Sequence, residues 1–457
     1  MKRFGKIRKI LLRALLVLLA SGFAGWLFEN WRGAKAWEEA KARAEAAGVS
    51  LVRADYAGPE IPDEENLLLN PVFAEEFEKE GEDRLREWAS LPGVDGKGYR
   101  IQGPRPWNGT SADYRNYFKD ELSEDEARDR LAEFASEFEE RLDRLAEVIL
   151  ETPIHPIFEV EEVTGELFDG TKWIFPIQCF SRSFKDSALL AVRRGESDKG
   201  LQRVAVLFRL AEMTAGPSLV SVLVSNSIKS LGLSLIWEGI RLRCWTDTQL
   251  KEISTLCSEP NYHENLIRSL AFEAAFGREF LMSEDIPEFL GDQRRGISGW
   301  YDYGGPQGWR DQRKAFLVTF HLELIEILKE RDFERLRKIS ETQADRGLSP
   351  LAAIKGELSI IPNCIPGACW MPKSNQRIAR IALEAERLFL QEGKYPDRLQ
   401  ELSLPFPVID LTDPEGRVLA YKPGPNGRPQ IWSRYQEELG EEGDEKLRWQ
   451  FWAEESR

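Results

Sequence analysis

Cysteine and histidine are scarce, at five and three residues in a chain of 457. Five cysteines over that length rule out a disulfide framework as the main source of stability, and an odd count leaves at least one thiol unpaired within a monomer. The histidines stand far apart, at positions 155, 263 and 321, whereas a zinc site normally gathers four ligands. His263-Glu264 begins like H-E-x-x-H, but Ile267 stands where the second histidine belongs, so the motif is absent. No G-x-S-x-G elbow, P-loop or dinucleotide fingerprint occurs, which leaves acyl transfer and nucleotide chemistry without a sequence handle. An excess of positive charge is missing too: 62 Lys plus Arg face 77 Asp plus Glu, a formal charge of −15. Nucleic acid, which is bound mainly through its phosphates, is excluded as a partner on that balance. No cofactor and no metal are expected.

Long apolar runs are few, and the first is the most informative feature of the chain. Residues 10–28 carry a single charge, Arg13, in the first turn of the run, from where a long side chain reaches the headgroups. At about 1.5 Å of rise per residue such a helix spans a hydrocarbon core of roughly 30 Å. Lys2, Arg3, Lys6, Arg8, Lys9 and Arg13 are all basic, and Glu29 comes just after the run. Positive charge stays inside, so the remainder of the chain is expected on the far side of the membrane. Trp26 and Trp31 bracket the exit, where an indole keeps its ring in the interface and its N–H in water. A signal peptide cleaved near Gly22 and Ala24 is the alternative to a retained anchor, and either one exports the rest of the chain.

Beyond the run, 42% hydrophobic residues with 14 Trp and 24 Phe are enough for substantial cores. The expected fold is mainly α: an N-terminal transmembrane helix, an irregular helical body and a small C-terminal α+β module. The anchor occupies residues 1–30. Residues 31–118 hold an exposed Ala/Glu/Lys/Arg helix stopped at Gly48, then an irregular wrapping segment broken by Pro59, Pro62, Pro71, Pro92, Pro104 and Pro106. A helical core domain covers 119–347. It starts with the capping box of Ser123 and Glu126, after which Leu131, Phe134, Phe138, Leu142, Leu145 and Ile149 form one stripe. Helices are predicted over 176–194, 198–214, 217–241, 246–257, 261–280 and 311–343, with Gly195 closing the first and a second capping box, Thr246 to Gln249, opening the fourth. The apolar stretch 219–237 contains Asn226 and Lys229 and is read as the central core helix, not a second span. Residues 348–374 form a loop in which Cys364 and Cys369 flank a turn-forming Ile-Pro-Gly-Ala, a spacing that lets the two sulfurs meet in an oxidising compartment.

From Asn375 a helix ends at Glu392-Gly393-Lys394-Tyr395-Pro396, and beyond it come Leu399, Leu402, Asp413-Pro414-Glu415-Gly416, Leu419-Ala420-Tyr421 and Asn426-Gly427. This order resembles the globular part of type II secretion pseudopilins: helix, G-x-Y-P, leucine-rich link, D-P-x-G and aromatic strand. Gly393 suits a helix C-cap, Pro396 prevents resumption and the Pro414–Gly416 segment turns the chain. The resemblance implies a small α+β module over 375–457 and an envelope setting. It does not extend to filament assembly, because Gly22-Phe23 lies inside the apolar run instead of before it. The span, the A-W-E-E-A-K segment from Ala36 to Lys41 and the run Ile61-Pro62-Asp63-Glu64-Glu65-Asn66 together resemble uncharacterised single-span bacterial envelope proteins. That implies the inner membrane, an N-terminus in the cytoplasm and an extracytoplasmic body.

Two functional expectations arise. The first is a membrane-anchored, non-enzymatic interaction or scaffolding protein whose partners are the membrane, through the N-terminal helix, and other envelope proteins. The second is an exported hydrolase acting on peptidoglycan, polysaccharide or peptide. It draws on abundant carboxylates, on His155 near Glu159, Glu161 and Glu162, and on Trp300, Tyr301, Tyr303 and Trp309, aromatics in a glycine-rich loop that could stack on a sugar or clasp a peptide. Packing over the core is the bland use of the same four rings.

Overall fold

A computed structural model describes residues 2–58, 61–75, 123–155, 174–257, 262–282, 306–330, 370–409, 417–423, 428–432 and 448–450, with scattered positions between 332 and 365. The chain is mainly helical, with an apolar helix at its N-terminus and a small antiparallel sheet near its C-terminus. The helices are α1 (Lys2–Ala46), α2 (Pro71–Glu75), α3 (Glu124–Glu151), α4 (Ile174–Arg193), α5 (Ser197–Thr214), α6 (Leu219–Leu242), α7 (Asp247–Leu256), α8 (Tyr262–Met282), α9 (Gln307–Glu330) and α10 (Trp370–Glu392). Strands β1 (Ala420–Pro423), β2 (Pro429–Trp432) and β3 (Arg448–Gln450) pair in that order, with Tyr421 opposite Ile431 and Ile431 opposite Trp449. Two compact units emerge, each drawn from three stretches of chain. The first comprises Met1–Ala57, Val160–Leu167 and Ile267–Cys364; the second comprises Gly58–Glu159, Phe168–Leu266 and Ile365–Arg457.

Local chemistry sets the helix ends of the second unit. Ser123 accepts from the Glu126 amide while the Glu126 carboxylate reaches back to the Ser123 amide at 2.9 Å, so both halves of the predicted capping box form. Thr246 and Gln249 repeat the device at α7. There Gln249 also donates to Asp198 at 2.7 Å, tying the start of α7 to the start of α5. Gly195 takes φ of +75° between α4 and α5, and the Glu196 amide reaches back to the Ala191 carbonyl at 2.9 Å. Only glycine adopts that left-handed geometry without cost, so the chain reverses where the sequence placed the break.

Helices α4, α5 and α6 pack on one another; α3 lies against α5, and α10 against α6 and α7. Trp237, Phe180, Phe184, Leu189 and Ile381 are fully enclosed in the resulting core, where Ile431 of the sheet joins them. Leu67 and Phe73 from the start of the proline-broken segment also enter this core, so residues 61–75 are held by apolar anchors. The apolar helix α6 is long and hydrophobic enough to cross a membrane, yet 72% of its apolar window is buried inside the protein. Its Glu238 is fully enclosed and paired with Arg193 at 2.9 Å and Arg241 at 2.8 Å, while Lys229 rests 5.2 Å from the Tyr262 ring. Charges buried with partners mark a core helix, because an unpaired one would cost several kcal/mol.

A second enclosed charge fastens α3 to α5. The Arg203 guanidinium, with no exposed surface, contacts Asp143, donates to the Leu142 carbonyl at 3.3 Å and to Ser187 at 3.3 Å, and lies over the Phe184 ring. Glu139 completes the cluster, accepting from Ser187 at 2.8 Å and pairing with Lys199.

In the first unit α1 is one unbroken helix of 45 residues. Exposure runs along its apolar half, and the window's mean hydropathy is 2.0 with none of it buried. The exposed helix expected after residue 31 is the direct continuation of the apolar one. Gly48 ends it at φ +69°. Past that turn the Tyr56 hydroxyl donates to the Ser50 carbonyl at 2.8 Å, and its ring meets Phe272 of α8 edge-on. Helix α9 begins at Gln307, four residues before the expected start, because Pro306 and not the later aspartate opens it; the Trp309 amide donates to the Pro306 carbonyl at 3.0 Å. His321 is enclosed in α9, where its Nδ1–H donates to the Leu317 carbonyl at 2.9 Å.

Burial holds the His321 imidazole neutral and its pKa down at about 4, against an ordinary 6.5. The unfolded chain takes up this proton as pH falls through about 6.5 and the folded chain only near 4, so the stability it supports is full above 6.5 and lost on acidification. Between pH 7 and 5 the loss amounts to about 2 kcal/mol. Urea titrations of the detergent-purified protein at the two pH values read it, and H321N should flatten the difference. For the α3–α5 cluster, R203L should lower the unfolding free energy by about 1–2 kcal/mol, since it removes the enclosed donor to the Leu142 carbonyl while Glu139 keeps Lys199 and Ser187. K199A, at a half-exposed site, should cost under about 1 kcal/mol in the same assay.

Candidate functional site: the joint beyond the apolar run

The last apolar residue of the first run is Phe28, and the polar contacts of α1 begin at the next position. Glu29 is the hub. Its Oε2 accepts from Arg32 at 2.7 Å, from the Trp309 indole N–H at 3.1 Å and from the Gln312 amide at 3.1 Å. Arg32 also donates to the Gln312 side-chain amide oxygen at 2.9 Å, which closes a ring of hydrogen bonds between α1 and the first two turns of α9. Asn30 adds a cap from outside the helix, its Oδ1 accepting from the Gly308 amide at 2.9 Å. The opening amides of any helix lack intrahelical acceptors, and the helix dipole favours negative charge there. Asn30 satisfies one such amide and Glu29 supplies the charge.

Two glycines make the approach possible. A methyl group at Gly33 would stand 2.0 Å from the Gly308 carbonyl oxygen, and one at Gly308 would stand 1.9 Å from the Glu29 carbonyl oxygen. Backbone therefore meets backbone at the crossing. One to three turns on, Ala36, Trp37, Ala40 and Ala44 of α1 pack against Ala315, Val318 and Leu322 of α9, with Lys314 6.0 Å from the Trp37 ring. Small residues keep the two helices close along this whole seam.

The aromatics at the exit are exposed. Trp26 stacks on Phe23 at 6.1 Å, and Trp31 carries the Lys35 ammonium at 5.7 Å. An indole beside an ammonium at the end of an apolar run matches what a membrane interface selects.

Of the four aromatics proposed as a stacking loop, Trp309 is half-buried in the first turn of α9, with its N–H engaged by Glu29. Trp300, Tyr301 and Tyr303 lie outside the described residues, as do Cys364 and Cys369. His155, four residues past the end of α3, sits 2.8 Å from Glu65 of the Asp63–Glu65 turn. Tyr395 of the G-x-Y-P segment stacks on Phe389 at 4.6 Å and donates to Glu386 at 2.6 Å, and burial raises the pKa of both. Among the described residues no three His, Cys, Asp or Glu side chains gather as metal ligands. Cys257 is enclosed, and burial pushes its thiol up to about 12. A thiolate is the reactive form, so this sulfur is inert at neutral pH.

Asn30, Gly33, Gly308 and Gln312 were not singled out by the sequence. Gly33, Ala36, Ala40 and Ala44 recur at helical spacing, and that recurrence was the available signal. It is masked by the Glu and Lys residues between them, which give the segment the composition of an exposed helix. No family model, curated protein or solved structure matches the chain.

G33A should push α1 and α9 apart and lower stability by about 2 kcal/mol. G25A has open space around it, so it should leave the midpoint unchanged or raise it slightly. Thermal unfolding of the two detergent-purified variants separates them; equal effects would mean that the crossing bears no strain.

Proposed function

We propose that this chain is a single-span protein of the bacterial inner membrane, with a cytoplasmic N-terminus and an extracytoplasmic body, and that it works as a non-enzymatic interaction or scaffolding protein. The observation that carries this reading is the joint at Glu29–Gly33. An apolar helix that only had to tether its protein needs nothing more than a flexible linker at its exit. Here the helix continues without a break, and α9 grips it at the first polar residue. Helix continuity, two meeting backbones and a closed hydrogen-bond ring support a first unit held at a set orientation to the bilayer, which suits presentation to neighbouring envelope proteins.

The leading basic residues, the exposed apolar half of α1 and the interface aromatics support the orientation. The resemblance of residues 375–457 to the pseudopilin module supports the envelope setting. Glycine-ended α10, the Tyr395-Pro396 stop and antiparallel strands are consistent with that small α+β unit. The hydrolase reading needs an aromatic platform beside carboxylates. Trp309, one of its four aromatics, is instead committed to the joint.

Reporter fusions at the C-terminus test the orientation: a phosphatase active only outside the cytoplasm should be active, and a reporter that fluoresces only in the cytoplasm should stay dark. The opposite pattern would overturn the topology. Photo-crosslinking residues placed at the exposed positions Val418 and Leu390 should give discrete heavier adducts in intact cells. A monomer free of adducts at every exposed position tried would sink the scaffold reading.

A further inference from the structure

We draw no further inference here: the strongest candidate, the small-residue face of Ser21, Gly22 and Gly25 on the apolar half of α1, has open space around both glycines, and nothing in the structure shows what covers it.

Discussion

The contact between the Gly33 and Gly308 backbones is the constraint on which the first unit depends. Two helices ordinarily pack with their axes about 8–10 Å apart, held off by side chains. Removing both side chains at the crossing brings main chain to main chain and places the first turn of α9 within hydrogen-bonding reach of Glu29 and Asn30. The glycines and the cap depend on each other. Without the glycines the Asn30 cap would not reach the Gly308 amide, and without the cap that amide would lose its side-chain acceptor at the crossing. The alanine seam from Ala36 to Ala44 then extends the same approach along α1.

The second unit solves a different problem, that of enclosing charge. Glu238 and Arg203 have no exposed surface, and each is met by groups of opposite charge from a neighbouring helix or its own. Such clusters add little net stability over apolar packing, but they penalise any register that separates the partners. Helices α4, α5 and α6 are rich in aliphatic residues that would pack acceptably in several registers. The Arg193–Glu238 pair ties α4 to α6, and Arg203–Asp143 ties α5 to α3.

Much of this architecture was legible residue by residue. The capping boxes at Ser123 and Thr246, the left-handed glycines at 48, 195 and 393 and the buried identity of α6 stem from chemistry acting within a few positions. The joint was less legible for a plain reason. Asn30 and Gly308 stand 278 positions apart, and neither carries a local signal of the other. Glu29 could be seen as the acidic end of an apolar run, but not as the acceptor of three donors. Trp309 was visible as an aromatic beside glycines. Its sequence neighbourhood reads equally as a loop or as the first turn of a helix, and only the proline ahead of it tips the balance.

Residue order alone settles where the chain has an apolar run and which way its flanking charges point, where the capping boxes and left-handed glycines set helix ends, and that most helices carry one apolar face. These are properties of hydrophobic periodicity and of hydrogen-bonding groups that meet within a turn. The packed molecule settles which face meets which: that the helix leaving the apolar run is gripped by α9, and that the buried arginines find their carboxylates across helix seams. The first pairing depends on side-chain volume at the crossing, where a methyl group at position 33 would meet the Gly308 backbone, and the second on charges brought together from helices far apart in the chain.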